Sequence, residues 1–487
     1  VKRRKVLQHL GLSLSAGVIM PQLLSSCKKN DAGPEVNYSG TVAIIGAGAA
    51  GLYAADILRS KGIKIVVLEA GSELGGRIKT LRNQATIPSQ SPSFICNVLP
   101  PDLPSIADFP VELGAEITHG SDSIWGMIIQ NLNVPTIDLA AATDQFILDQ
   151  TAKSFSAWSG DSDFTSVQSF ISGLPTYSGA LSVQQAAGIS DRGQALLNSQ
   201  VGNYYGSSSS RVGARGLAQG LALVKHDAKW LALKANPLQD LLLSRFSSVT
   251  PLIQMNTPIT SINYGTDPIA LTDKSGNLIQ ADKIIITVPV SILKGGTISF
   301  SPALPGTMTT SLANIGMDAS VRVILEFKKN FWGTATGFIW GGATGPQYFN
   351  AGVGRSENYK TLSITINGPK AAELSALGTK MISALLAELD AVYAGQASLY
   401  VRRDLNTNEI LFIIEDWSKE EFIKGGYSYP LVNATNDDRK NIGVSINDKL
   451  FFAGEATDVN GDAGTINGAL ASAERVAEEV VKSITKL

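Results

Sequence analysis

Val42-Ala43-Ile44-Ile45-Gly46-Ala47-Gly48-Ala49-Ala50-Gly51, followed by Ile65-Val66-Val67-Leu68-Glu69 and then Gly75-Gly76-Arg77, is the stretch that decides the fold. Apolar, largely β-branched residues run straight into Gly46, which puts the first glycine at the tight turn after a strand. Gly48 lets the backbone approach a pyrophosphate, and Gly51 lets the following helix, 52–60, pack closely on the sheet. The N-terminus of that helix offers free backbone N–H groups and a partial positive charge, both of which favour a phosphate. Glu69 ends the second strand, where a carboxylate can accept from ribose hydroxyls; an acidic end favours the unphosphorylated ribose of FAD or NAD over NADP. A lone glycine pattern is weak evidence, because glycine turns between strands and helices are common. Here strand, turn, helix, second strand and acidic terminus arrive in order within one βαβ unit, and the reading is a bound dinucleotide.

The chain has 487 residues, enough for two or three domains with sizeable cores. A formal net charge of −2, with no Lys/Arg stripe interleaved with aromatics, argues against a nucleic-acid partner. The first segment differs in kind. Lys2-Arg3-Arg4-Lys5 is a basic head, residues 10–20 are apolar but too few to span a bilayer comfortably, and Leu24-Ser25-Ser26-Cys27 follows. Residues 1–27 read as an export signal: Arg3-Arg4 resembles a twin-arginine signal, which carries folded proteins, and Leu24 to Cys27 resembles a bacterial lipobox. The competing reading is a basic tail with an incidental cysteine. The export reading expects a periplasmic or membrane-anchored bacterial lipoprotein that touches a membrane only through lipid on Cys27, with 28–38 as linker. Cys27 and Cys96 are the only cysteines, so lipid on the first leaves no intramolecular disulfide. His9, His119 and His226 are too scattered in sequence to suggest a metal site, and none is expected.

The rest divides by pattern into an α/β chain. Dinucleotide-binding segments are expected at 39–120, 246–300 and 436–487, assembling a Rossmann-like domain from separated pieces. Between them lies an α+β substrate domain, with a mostly helical cap at 121–245 and an antiparallel sheet with helices at 301–435. Residues 86–110 carry six prolines and are expected to be irregular. Strands are expected at 261–271, 283–288, 321–327, 361–366, 410–414 and 450–453, with 321–327 half-buried by its alternation. Helices are expected at 371–392 and from about residue 465.

Taken in order, these residues resemble the flavin-containing amine oxidases, which include monoamine oxidases, polyamine oxidases, L-amino acid oxidases and lysine-specific histone demethylases. The likeness is carried by Gly46 to Gly51 with Glu69, Gly75-Gly76-Arg77, 111–115 (Val-Glu-Leu-Gly-Ala), 281–289 (Ala-Asp-Lys-Ile-Ile-Ile-Thr-Val-Pro) and 450–455 (Leu-Phe-Phe-Ala-Gly-Glu). It implies a noncovalent FAD, because Gly426 stands where monoamine oxidases carry the flavin-linking cysteine. It also implies a cofactor-binding set. In that set Ala49, Ala50, Ala70 and Gly76 join the glycine cradle, Glu69 binds the adenosine ribose, and Arg77 neutralises the pyrophosphate. Gly114, Ala115 and Glu116 pass the flavin with backbone contacts, and the Ile259 backbone reads the adenine edge. Trp417, Gly454 and Glu455 border the cofactor, and Gly464, Thr465 and Ile466 bring a helix N-terminus to the flavin pyrimidine.

The catalytic positions depart from the family. Tyr427 falls on one wall of its aromatic cage, but the facing place is Thr465, which is not aromatic. The family's active-site lysine falls on Arg322, counted back from Phe331-Trp332. Arginine stays charged and is planar, so the replacement is not conservative. It could hold the family's water, pair with an anionic substrate group, mark reduced oxidase activity, or reach solvent from a strand. The resemblance implies that a neutral amine loses a hydride equivalent from its α-carbon to flavin N5, the imine hydrolyses, and O2 becomes H2O2. Two alternatives stay open: an L-amino acid oxidase with Arg322 as carboxylate partner, and an exported FAD protein with little oxidase turnover or a flavin dehydrogenase or desaturase using another acceptor. The small-molecule partner is thus an amine or amino acid.

Overall fold

The computed structural model describes residues 35–82, 89–97, 111–355 and 360–485. The export signal and most of the linker lie outside the described residues. Five parallel strands form the first sheet, in the order Ile253–Gln254, Lys64–Leu68, Thr41–Ile45, Lys283–Ile286 and Leu450–Phe452. Strands covered on both faces read as continuous apolar runs, and successive side chains go to opposite faces. Val42, Ile44, Val67, Ile285 and Phe451 enter one core with the helices Ala49–Ser60 and Ile466–Thr485. Ala43, Ile45, Leu68, Ile284, Ile286 and Phe452 enter another, beneath the four-stranded sheet built on Ile259–Asn263 and Ile269–Asp273. The C-terminal helix buries Leu470, Ala473, Val476, Ala477 and Val480 at helical spacing. Tyr53 Oη on the first helix donates to Glu474 Oε1 on the last at 2.6 Å, so chain segments far apart in sequence complete one domain.

The second large unit is an eight-stranded sheet in the order Phe94–Asn97, Phe412–Asp416, Ser320–Glu326, Thr361–Asn367, Gln347–Asn350, Thr336–Trp340, Thr143–Leu148 and Thr151–Ser154. All its pairings are antiparallel except that of Thr336–Trp340 with Thr143–Leu148.

Several sequence expectations need correcting. The 121–245 segment is not only helical: Thr143–Leu148 and Thr151–Ser154 finish the large sheet, and Trp230–Leu233 pairs with Thr118–His119 and Thr136–Asp138. Phe146, Ile147 and Leu148 are buried consecutively, so the alternation that marks a half-exposed strand is missing there. Helix Leu238–Arg245, at the end of the same segment, packs Leu238, Leu241 and Leu242 into the core of the first sheet. Within the proline-rich stretch, Phe94–Asn97 is an edge strand, which tolerates the nearby prolines because one side needs no partner. The 261–271 expectation is two strands, interrupted around Gly265 and Pro268. The 371–392 helix is two, Pro369–Leu377 and Lys380–Val392, divided at Gly378, whose φ of +56° lies outside the helical region. Ser320–Glu326 is central rather than half-exposed, with neighbours on both edges and both faces covered.

Candidate active site

One cavity of about 2250 Å³ runs past the C-terminal ends of the parallel strands into the cap. Ordinary small-ligand pockets occupy about 300–1,000 Å³, so this space accommodates a dinucleotide together with a second molecule. Every residue expected to bind cofactor or substrate lines it except Gly51. Gly51 instead does the packing job read from the sequence: a Cβ there would stand 1.9 Å from the Gly46 carbonyl oxygen.

The nucleotide end is built by backbone. Gly46 turns with φ +105°, its N–H donating to the Leu68 carbonyl at 2.9 Å. A Cβ on Gly48 would meet only the Gly75 carbonyl, 3.9 Å away, so the glycine opens onto the cavity. Neither a side-chain cap nor an acidic residue in the first turn covers the helix N-terminus behind it, as a phosphate site requires. Glu69 Oε2 accepts from Ala47 N–H at 2.7 Å and Oε1 from Gly71 N–H at 2.8 Å, which fixes the carboxylate just past the second strand at the cavity wall. These features fit the ADP half of FAD.

Further in, Arg77 and Glu455 are brought together. Arg77 Nη1 lies 2.8 Å from Glu455 Oε1 and 3.0 Å from the Gly426 carbonyl. Glu455 also accepts from Ser428 Oγ at 2.6 Å and Gly464 N–H at 2.8 Å, tying three distant segments to one buried carboxylate. Burial alone would push that carboxyl up, but the Arg77 and Arg439 charges and the Ser428 hydrogen bond outweigh it and hold it below its ordinary value. Trp417 Nε1 donates to the Leu113 carbonyl at 2.9 Å, behind Gly114 and Ala115. Ile259 puts its side chain into the core below the first sheet and its backbone at the cavity wall.

Arg322 does not reach solvent. Its strand is central in the sheet, and its side chain, 11% exposed, turns into the cavity. Nη1 donates to Glu116 Oε2 at 2.6 Å and Ser363 Oγ at 2.8 Å, and Nη2 to the Gly114 carbonyl at 2.7 Å. Glu116, expected to contribute backbone only, supplies its carboxylate to this pair. Tyr427 Oη donates to the Tyr204 carbonyl at 2.8 Å and accepts from Asn367 Nδ2 at 3.1 Å; burial pushes its phenol well above the ordinary range. Thr465 lines the cavity but is engaged as a cap: its Oγ1 donates to the Asp462 carbonyl at 2.7 Å and accepts from Gly468 N–H at 3.1 Å.

A separate group of aromatic side chains lines the cavity. Tyr204 and Trp230 stack with centroids 5.5 Å apart and an interplanar angle of 7°, and the His119 and Phe338 rings meet Trp230 edge-on at 5.5 and 5.8 Å. All four line the cavity, with Ile171, Leu174 and Leu221 completing an apolar chamber. Tyr204 follows the π-helical stretch Asn198–Asn203, an irregularity common at functional sites. Nothing in the spacing of residues 119, 204, 230 and 338 marks them as neighbours. Burial, reinforced by nearby His226, pushes the His119 imidazole down to about 4, so it is neutral at neutral pH. His226 Nε2 lies 2.8 Å from Asp462 Oδ1, strapping the loop before Trp230 to the loop before the last helix. The described residues contain no cluster of metal-ligating side chains.

Comparison with known proteins agrees with this geometry. The family model described as flavin containing amine oxidoreductase matches residues 237–481, and one described as NAD(P)-binding Rossmann-like domain matches 44–128. The chain is 23% identical to polyamine oxidase 2 of Arabidopsis thaliana over 91% of this chain and 88% of that protein. It is 24% identical to lysine-specific histone demethylase 1 homolog 3 of the same plant over 90% of this chain, but spans only 30% of that protein. It is also 24% identical to human lysine-specific histone demethylase 2, over 92% of this chain and 54% of that protein. Among solved structures, cyclohexylamine oxidase from Brevibacterium oxydans superposes with a TM-score of 0.70 at 18% identity, covering 93% of this chain and 100% of that one. Putrescine oxidase bound to putrescine gives 0.71 at 15% identity, covering 91% and 99%. At these identities the structural likeness is one of fold. The family match over half the chain, and a cavity whose nucleotide end suits an ADP moiety, identify the protein as a member of the flavin-containing amine oxidoreductases, with noncovalent FAD as its cofactor.

Proposed function

We propose that the protein oxidises a neutral amine with an apolar tail to the corresponding imine, which water hydrolyses to a carbonyl compound and ammonia or an amine. The reading rests on one continuous cavity that joins the Gly46–Glu69 cradle to the chamber of Tyr204, Trp230, Phe338 and Tyr427. FAD, when bound, supplies the acceptor for a hydride equivalent from the carbon bearing the nitrogen, and passes the two electrons to O2 to give H2O2. The chain's own residues orient and desolvate. Stacked Tyr204 and Trp230 offer flat apolar surface for the tail, and burial of the chamber excludes water from the reacting carbon. Tyr427 is locked by its two hydroxyl bonds, so its ring presents a fixed face to the amine. Neutral His119 adds no positive charge to repel an amine.

Anaerobic mixing of the flavoprotein with cyclohexylamine, phenylethylamine and putrescine, followed by visible absorbance, tests this reading. Bleaching of the flavin by at least the first two is expected, and bleaching by none of the three refutes it. A second reading, a dehydrogenase slow toward O2, is favoured by Arg322 standing where the resemblance puts a lysine; it expects bleaching by amine followed by slow recovery in air and fast recovery with an artificial acceptor. Residues 1–27 carry the accompanying proposal that the folded protein is exported and lipidated at Cys27, which radiolabelled palmitate incorporation, lost in Cys27→Ser, would test.

A further inference from the structure

We infer that Glu116 determines specificity: by pairing with Arg322 it cancels the charge of that guanidinium where it faces the chamber and makes that end reject carboxylates. The inference rests on the amine-oxidation reading and narrows its substrate to amines without an α-carboxylate.

An arginine facing a cavity in a flavoprotein of this kind is the obvious clamp for an amino acid. A planar guanidinium grips a carboxylate with two parallel N–H groups on one edge. Here three of the five Arg322 N–H donors, including both on Nη1, are committed within the protein. Glu116 Oε2 takes Nη1 at 2.6 Å, Ser363 Oγ accepts a second Nη1 hydrogen at 2.8 Å while itself donating to Glu116 at 3.1 Å, and the Gly114 carbonyl takes Nη2 at 2.7 Å. Both side chains are nearly closed off from solvent, 11% and 12% exposed. A substrate carboxylate arriving here would displace Glu116, stranding one buried anion, or sit beside it and be repelled. Both outcomes are costly where water cannot screen them.

Of the other cationic groups that line the cavity, Arg77 pairs with Glu455, Lys79 with Glu415 and Glu420, and His226 with Asp462, while Lys225 and Lys229 are exposed. Glu112 lies behind the pair, and burial pushes its carboxyl up to about 8, so it is mostly protonated at neutral pH and leaves Glu116 as the counter-ion. Thr80 Oγ1 and the Leu238 N–H donate to Glu112, which keeps it off Arg322. His119 is neutral.

Benzoate tests the inference without turnover, because its ring suits the aromatic chamber and its binding perturbs the visible spectrum of a nearby flavin. The flavin-loaded wild type is expected to bind benzoate weakly, and Glu116→Gln, which keeps the shape but removes the charge, is expected to bind it at least about tenfold more tightly. The double variant Glu116→Gln/Arg322→Gln should lose that gain. No gain in Glu116→Gln, or an equal gain in the double variant, overturns the assignment. Should Glu116→Gln not hold flavin, wild type alone decides: benzoate bound at least about tenfold more weakly than the isosteric, uncharged benzamide supports it, and benzoate bound as tightly as benzamide overturns it. Failure of the amine reading shows separately, as an unbleached flavin in wild type mixed with amines.

Discussion

Gly48 and Gly51 sit on the same turn and are expected to fail in opposite ways when each becomes alanine. At Gly51 the added Cβ would lie 1.9 Å from the Gly46 carbonyl oxygen, where ordinary contact begins near 3.4 Å. The obstacle is backbone at the end of the central strand, so the helix Ala49–Ser60 must move off the sheet, loosening the Leu52, Ala55 and Leu58 contacts of the core. Overpacking of this kind costs about 1–3 kcal/mol, against which alanine's better helix propensity returns less than about 1. Apoprotein carrying Gly51→Ala should therefore melt lower, by about 1–3 °C for a chain of this length. At Gly48 the added Cβ meets only the Gly75 carbonyl at 3.9 Å, so apoprotein stability should be unchanged while the methyl occupies phosphate space. FAD affinity should fall at least about tenfold, or about 1.4 kcal/mol. Thermal melts of apoprotein and flavin-fluorescence titrations separate the two effects. Wild-type melting of Gly51→Ala apoprotein, or wild-type FAD affinity in Gly48→Ala, would refute the division of labour.

Three further outcomes are expected. Glu112 has its folded pKa raised from 4.5 to about 8, so the native state binds the extra proton between those values and stability falls as pH rises through them; Glu112→Gln should flatten that decline in urea-melt midpoints across the same range, and an unchanged slope would count against burial as its cause. His226 is raised above 6.5 because its bond to Asp462 outweighs burial, so the strap's contribution is complete below 6.5 and is lost as pH rises through the folded value; hydrogen exchange in the 222–229 loop should quicken with pH over that window in wild type and lose the pH step in His226→Gln. Tyr427→Phe should lower stability by about 1 kcal/mol through its two lost hydroxyl bonds while flavin reduction by amine stays within a few-fold, whereas Tyr427→Ala should slow reduction far more; equal effects would deny the ring a role.

Much of the nucleotide end was legible because its determinants are local. A strand, a glycine turn, a helix start and Glu69 occupy one short run, and turn geometry and helix dipoles act over a few residues. The C-terminal helix was legible for the same reason, through its 3.6-residue period. Broken elements were less so. Gly378 divides an otherwise helical pattern, and the short buried strand Thr143–Leu148 lacks the alternation that would separate it from a helix.

The chemistry at the other end was decided by contacts between distant residues. Arg322 meets Glu116 across 206 positions and the Gly114 carbonyl across 208, and only those contacts turn a free cation into half of a neutral pair. His119, Tyr204, Trp230 and Phe338 become one aromatic wall only after a strand, a π-helical stretch and two sheets have folded against each other. By itself the sequence determined the family and the FAD cradle, since local backbone preferences and ordered motifs carry both. Tertiary structure decided the chamber's charge and shape, because electrostatic neutralisation and ring stacking depend on distance in space, which separation along the chain does not report.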